Sequence, residues 1–345
     1  MGYEFVSWEE GEKTISEEPF YELLIEKDRL IEARFKLLNG AYRLHGSHRF
    51  QTAVTISQQA YPNGSQAVVL ARGDDFADAL AGVSLAHQMK APILLTGRDQ
   101  VYSSVEEEIR RLGADKAVLL GGEGALSAEV ALELESLGLS VDRVSGQNRY
   151  ETAAAIAYRL KENGADVKKA VMVVGSDFPD ALAAAAYAAR EEMPVLLTGT
   201  TFYPGSTEQA VDDLGIKNVV VVGGPSVITD EVMADFPDNG ETMRLYGDDR
   251  YETATALAQY YYNGEEHFYL ATGLDFPDAV TGAVLAAKTD AGVLLVYGPW
   301  AEPNQVVQDF LAEKQTPSLF LFGGEAVISS DMKDWLNEGS YLLDE

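Results

Sequence analysis

Arg143-Val144-Ser145-Gly146-Gln147-Asn148-Arg149-Tyr150-Glu151-Thr152-Ala153 is one of three versions of the same stretch. The first reads Arg43-Leu44-His45-Gly46-Ser47-His48-Arg49-Phe50-Gln51-Thr52-Ala53. The third reads Arg244-Leu245-Tyr246-Gly247-Asp248-Asp249-Arg250-Tyr251-Glu252-Thr253-Ala254. From Arg49 to Arg149 is 100 residues, and from Arg149 to Arg250 is 101. So regular a step marks three copies of one unit.

The rest of each unit repeats in the same order. An apolar run leads into Asp75-Phe76-Ala77-Asp78, Asp177-Phe178-Pro179-Asp180 and Asp275-Phe276-Pro277-Asp278. Fourteen residues past the last aspartate a second run starts, at Pro92, Pro194 and Gly292. A third run ends in Gly121-Gly122, Gly223-Gly224 and Gly323-Gly324. Within the second copy the pattern predicts helix over 150–162, strand 170–174, helix from Asp177 to about Glu191 and strand 195–198. It continues as helix 207–214, strand 219–222, a helix from Thr229 and the strand 242–246 that leads into the third copy. Continuous apolar strands mean a sheet covered on both faces. Strands alternating with helices mean right-handed parallel crossovers and an α/β sandwich. The chain therefore divides into a leader (1–40) and three Rossmann-like units at 41–138, 139–240 and 241–345. In such sheets the strand-to-helix loops share the carboxyl edge, where ligands bind. The Gly-x-x-Arg, Asp-Phe-Pro-Asp and Gly-Gly loops all follow strands, so all three belong to that edge.

In the leader, residues 1–19 are acidic and read as irregular. Phe20, Leu23, Leu24, Leu30, Ile31, Phe35 and Leu38 are spaced for an amphipathic helix, with Asn39-Gly40 as its stop.

The 345 residues carry 26 basic and 55 acidic side chains, a net charge of −29. That field repels nucleic acid and anionic membranes as a whole, though a local arginine-lined site can still hold an anion. There is no cysteine, so disulfides and thiolate zinc sites are excluded. No apolar run reaches the length of a membrane span. The start Met1-Gly2-Tyr3-Glu4 has no basic and apolar leader. The expectation is a cytosolic protein or a trimmed chain, and the Met-Gly start before acidic residues favours the trimmed one.

Asp177 before a helix, with Asp180 three residues on and Pro179 between, has the form of a helix cap; Asp75/Asp78 and Asp275/Asp278 match it. The rival reading is a two-carboxylate metal or acid/base site. Arg49, Arg149 and Arg250 stand at helix starts, where a cation is disfavoured. They call for a partner, either a neighbouring aspartate or an anionic ligand. The glycine pairs are a tight turn or an inter-repeat contact, and neither a dinucleotide fingerprint nor a phosphate loop is present. His45, His48, His87 and His267 show no ligand spacing, and no hydroxyl has a recurring histidine partner.

Taken together, the Arg-x-x-Gly-x-x-Arg-Tyr-x-Thr-Ala opening, the Asp-Phe-Pro/Ala-Asp segment, Pro-Ile/Val-Leu-Leu-Thr and the late Gly-Gly resemble the cell wall binding repeat type 2. That repeat occurs in tandem threes in surface and S-layer-associated proteins of Clostridia and related Gram-positive bacteria. The blocks cover roughly 41–337. The first copy departs at Phe50 and Ala77, the third at Gly292 and Tyr297. The resemblance implies modules grouped about a pseudo-three-fold axis and an extracellular, wall-bound location. It implies non-covalent anchoring to an anionic wall polysaccharide, with no catalysis and no cofactor or metal. An effector domain outside this chain would be the cargo. The expected polymer contacts are Arg49, Arg149 and Arg250, helped by Arg43, Arg143 and Arg244, with Tyr150 and Tyr251 stacking on sugar rings. The competing readings are a metal-dependent enzyme using the paired aspartates and a purely structural surface-layer element.

Overall fold

A computed structural model describes residues 3–11, 13–24, 27–37, 40–237, 240–262, 267–315 and 318–339. Three four-stranded parallel sheets follow from the repeated apolar runs. In the first, Ile93–Thr96, Ala67–Arg72, Lys116–Leu120 and Ser140–Val144 lie side by side in that order. The second runs Val195–Thr198, Lys169–Val174, Asn218–Val222, Thr242–Leu245. The inner strands Ala67–Arg72, Lys169–Val174 and Asn218–Val222 are buried apart from one end residue each, as their valine, leucine and alanine runs require.

The fourth strand of each sheet comes from the next repeat. Ser140–Val144 opens the second repeat but completes the first sheet, and Thr242–Leu245 opens the third but completes the second. The third sheet runs Val293–Val296, His267–Thr272, Ser318–Phe322 and then Gly40–Leu44, which is the opening strand of the first repeat. The chain thus closes on itself as a ring, with Ser318 level with Gly40 and Phe322 with Leu44. Ala41 N–H donates to Asn337 Oδ1 across the closure at 2.7 Å. Sequence repeat and sheet are offset by one strand.

The helix after each Asp-Phe-Pro/Ala-Asp loop points down a pseudo-three-fold axis. These helices are Pro179–Arg190, Pro277–Lys288 and, in the first repeat, the broken pair Ala77–Ala81 and Val83–Gln88. The helix Pro179–Arg190 buries every residue from Ala181 to Ala189. Alanine suits that position, since small side chains let three helices meet closely. At the amino-terminal ends Phe76, Phe178 and Phe276 form a triangle, with ring centroids 5.7, 6.2 and 6.1 Å apart. One continuous apolar core joins residues of all three repeats. No described helix is long and apolar enough to cross a membrane.

The leader differs from the expected helix. Lys13–Ser16, Tyr3–Glu10 and Glu32–Leu37 form a small antiparallel sheet in that order. Ala33 and Phe35 alternate at strand period and pair with Trp8 and Phe5. Phe5 meets Trp8 and Phe35 as an aromatic cluster. Phe20, Leu24 and Leu30 lie outside any helix and are exposed. Leu38 and Asn39, the expected end of that helix, fall outside the described residues.

Candidate functional site

Each conserved-in-repeat motif lands at a junction between two repeats. The opening glycine is needed because the next helix starts on top of it. A Cβ on Gly46, Gly146 or Gly247 would lie 2.3, 2.1 or 2.2 Å from Cβ of Gln51, Glu151 or Glu252. The helix that follows is capped locally. Asn148 Oδ1 accepts from Tyr150 and Glu151 N–H, and Asp249 Oδ1 accepts from Tyr251 and Glu252 N–H. His48 takes the same place in the first repeat, with Gln51 N–H donating to Nδ1 at 3.4 Å.

The motif threonine faces two ways. Thr52, Thr152 and Thr253 Oγ1 accept from the N–H of Gly46, Gly146 and Gly247, each at 3.1 Å. Their hydroxyls also face Asp278, Asp78 and Asp180 of the preceding repeat in the ring, and favour the charged form of each carboxylate. These carboxylates are inside the junction, so burial pushes Asp78 and Asp278 up to about 6, helped by Asp75 and Asp275. Asp180 is raised by burial as well. The first glycine of each pair follows from the same contact. Gly121, Gly223 and Gly323 have φ of 91°, 120° and 107°, and a Cβ there would lie 2.3, 3.1 or 2.5 Å from the aspartate Oδ2. The glycine pair is therefore a turn closed against the aspartate of its own repeat, and it is an inter-repeat contact as well, since Gly121, Gly223 and Gly323 N–H donate to the carbonyls of Val144, Leu245 and Leu44.

The helix-cap reading of the acidic loop needs correction. The axial helices begin at Ala77, Pro179 and Pro277, with phenylalanine in the cap position and no side-chain cap. Asp75, Asp177 and Asp275 do accept loop N–H groups, from Ala77, Phe178 and Phe276. Asp75 and Asp275 also meet an arginine of another repeat, and separations of 74 and 226 residues hid that half of their role.

Arg49, Arg149 and Arg250 each donate to the carbonyl of a glycine in their own repeat, Gly73, Gly175 and Gly273, at 2.6, 2.5 and 2.5 Å. Arg49 also reaches Asp275 at 3.2 Å and Arg149 reaches Asp75 at 3.5 Å, each a carboxylate of the preceding repeat. Their guanidinium carbons lie 5.9 Å from the Phe276 ring centre and 5.2 Å from that of Phe76. Arg43, Arg143 and Arg244 sit elsewhere. They donate to the carbonyls of Gly323, Gly121 and Gly223, and Arg43 and Arg143 reach Ser329 and Ser127 as well. They pin the borrowed strand to its host sheet, and burial lowers the pKa of Arg43 and Arg143.

Tyr251 is only 9% exposed and its ring covers Gly273, where a Cβ would lie 2.8 Å away. Tyr150 covers Gly175 in the same way, and Phe50 covers Gly73. The motif aromatic is thus a packing residue, and the expected stacking of Tyr251 on a sugar does not fit its burial. The exposed aromatics at this edge are others: Phe202 against Gly199, Trp300 against Tyr297, and Tyr246 against Gly224. Periodicity gave no signal for them, because they are loop residues without a fixed counterpart in every copy.

Between the repeats these groups leave open clefts. The one between the first and second repeats, about 660 Å³, is lined by Asp75, Asp78, Gly122, Asn148 and Arg149. The one between the second and third, about 280 Å³, is lined by Asp177, Asp180, Gly224, Tyr246, Asp248 and Arg250. Both sit at the carboxyl edge of the sheets, where strand-to-helix loops converge.

Three tandem Rossmann-like sheets in a closed ring, with polar clefts at the seams, define a repeat-built module. The chain belongs to the family described as Cell wall binding domain 2 (CWB2), whose profile matches residues 43–131, 143–233 and 244–333. It is 33% identical over 298 residues to the N-acetylmuramoyl-L-alanine amidase LytC of Bacillus subtilis, covering 86% of this chain and 58% of that protein. It is 30% identical over 302 residues to the Amidase enhancer of the same species, covering 88% of this chain and 41% of that one. Among solved structures it is similar to Cwp6 from Clostridium difficile, with a TM-score of 0.81 and 25% identity, over 96% of this chain and 51% of that one. Cwp8 from the same organism gives a TM-score of 0.77 and 29% identity, over 88% and 52%. The chain thus spans about half the length of the relatives it matches.

Proposed function

We propose that this chain holds a surface protein to a Gram-positive cell wall by non-covalent binding of an anionic glycopolymer. The supporting observation is the set of clefts at the seams, each built from an arginine and helix start of one repeat and the glycine turn and aspartates of another. Arg49, Arg149 and Arg250 spend one terminal nitrogen on a glycine carbonyl, and Arg49 and Arg149 turn the other to an aspartate, which still leaves N–H donors on each five-donor guanidinium. Such donors suit the hydroxyl and anionic groups of a polymer. Repeated weak sites on one rigid ring gain avidity, ~10²–10⁴ over a single site. In this reading the chain is a binding module rather than an enzyme, and its place is the outside of the cell.

The test is sedimentation of the chain with purified Gram-positive walls, before and after acid extraction of their anionic polymers, at low and high salt. The expected result is binding that falls on extraction and weakens with salt. Undiminished binding to extracted walls would remove the anionic polymer as the ligand.

A further inference from the structure

The seams share a plan but not a lining. The residue before the opening glycine is His45, Ser145 or Tyr246. This side chain stands beside the second glycine of the neighbouring pair. A Cβ on Gly224 would lie 3.1 Å from the Tyr246 ring, and one on Gly324 would lie 3.8 Å from His45 Nδ1. At Gly122 only the Gly146 carbonyl comes within 4 Å, because Ser145 is too short to reach. Tyr246 remains 48% exposed and lines the cleft between the second and third repeats. The residues after the glycine differ too: Gln147-Asn148 at the first seam, Asp248-Asp249 at the second.

The second seam also differs in its arginine. Arg149 and Arg49 bond to Asp75 and Asp275, whereas no corresponding ion pair joins Arg250 to Asp177 among the described residues. Arg250 keeps its bond to the Gly273 carbonyl, and its other nitrogens stay available. The cleft therefore combines an aromatic surface, guanidinium donors and the carboxylate acceptors Asp177 and Asp248. Four aspartates against one arginine line it, a balance that opposes a phosphate or a uronate.

We propose that the cleft between the second and third repeats is a subsite for one uncharged pyranose unit, with Tyr246 as its stacking surface. A pyranose has an apolar C–H face and a rim of hydroxyls that donate and accept. The tyrosine ring takes the face. Arg250 donates to hydroxyl oxygens, while Asp177 and Asp248 accept hydroxyl protons. This rests on the wall-polymer reading and adds which part of the polymer enters which seam: the neutral sugar here, the anionic groups elsewhere.

Tyr246→Ser tests it on the full chain, since serine is what the second repeat carries at this position. Wall sedimentation is measured alongside saturation-transfer NMR with methyl glycosides of glucose, galactose, mannose and N-acetylglucosamine. Tyr246→Ser should lower wall affinity about tenfold and abolish transfer to whichever pyranoside the parent chain contacts. Tyr246→Phe, which keeps the ring, should stay within about threefold of the parent, and Ser145→Ala should change nothing. Parent-like wall binding by Tyr246→Ser overturns the subsite and leaves wall attachment standing. So does equal loss by Tyr246→Phe, or transfer that survives in Tyr246→Ser. A parent chain that does not bind walls overturns both.

Discussion

Asp78 and Thr152 belong to different repeats, and the hydroxyl of the second faces the carboxylate of the first and favours its charged form. The same pairing sets Thr253 against Asp180 and Thr52 against Asp278, so it recurs at every seam of the ring. Its cost is a carboxylate buried where its charge is poorly solvated.

That cost sets a pH dependence. Asp278 is buried, and burial raises it from 3.8 to about 6. The folded state then holds a proton more tightly than the unfolded chain. The stability this group contributes is fully present below about pH 4, is lost as pH rises through about 6, and above that the full penalty remains. Asp278→Asn keeps the acceptor for Thr52 without the charge. It should stabilise the chain at pH 7.5 by about 1–3 kcal/mol and flatten the slope between pH 4 and 7. Urea midpoints across that range would show it, and a less stable variant with an unchanged slope would contradict it.

Arg43 is expected to be structural. Its guanidinium satisfies the carbonyls of Gly323 and Ser329 across the ring closure, at 2.9 and 3.1 Å. Arg43→Ala should cost about 2–4 kcal/mol, as for buried charge-assisted hydrogen bonds. Wall binding per folded molecule should stay unchanged. Lost binding with undisturbed stability would instead return Arg43 to the ligand contacts.

The phenylalanine triangle should be worth measuring one ring at a time. Phe276 is 7% exposed and touches both other rings. Phe276→Ala should cost about 3–5 kcal/mol, the usual range for a buried phenylalanine. Phe178→Ala, at a partly exposed corner, should cost less. Equal small losses would mean that the axis is held by its alanine helices alone.

A circular permutant tests the closure. Ala41 and Asn337 are in hydrogen-bond contact, so a chain joined from Gly339 to Gly40 and opened at the exposed Gly164 should keep the ring. Its thermal midpoint should fall by no more than several degrees. Failure to fold would show that the leader sheet is needed for closure.

Much of this was legible from residues alone. Val171, Val220 and their neighbours form unbroken apolar runs because their strands are buried on both faces, and that reads directly. So do the regular returns of Arg49, Arg149 and Arg250. The borrowed strand does not read, because Arg143-Val144 has the same sequence whichever sheet receives it. Phe20 to Leu38 misled for a related reason. Helix-like spacing was assembled from two segments, whereas Phe35 alternates at strand period and gains its partner only from Phe5, 30 residues away. Arg143 reads as a ligand contact at a strand end because its acceptor, the Gly121 carbonyl, lies in the turn after a different strand. The cleft composition was half visible: the arginines and aspartates were named, but Tyr246 carried no mark of exposure.

The loan of one strand from each repeat to the one before makes three units a closed count. Gly323 N–H bonds to the Leu44 carbonyl as Gly121 bonds to Val144 and Gly223 to Leu245, so no sheet keeps a vacant edge where a strand is owed. If Gly40–Leu44 were detached, Ser318–Phe322 would present a ready parallel edge, and the freed strand would fit the same edge on another molecule. Intact, the ring is self-terminating; opened, it becomes a link that can join head to tail into swapped chains.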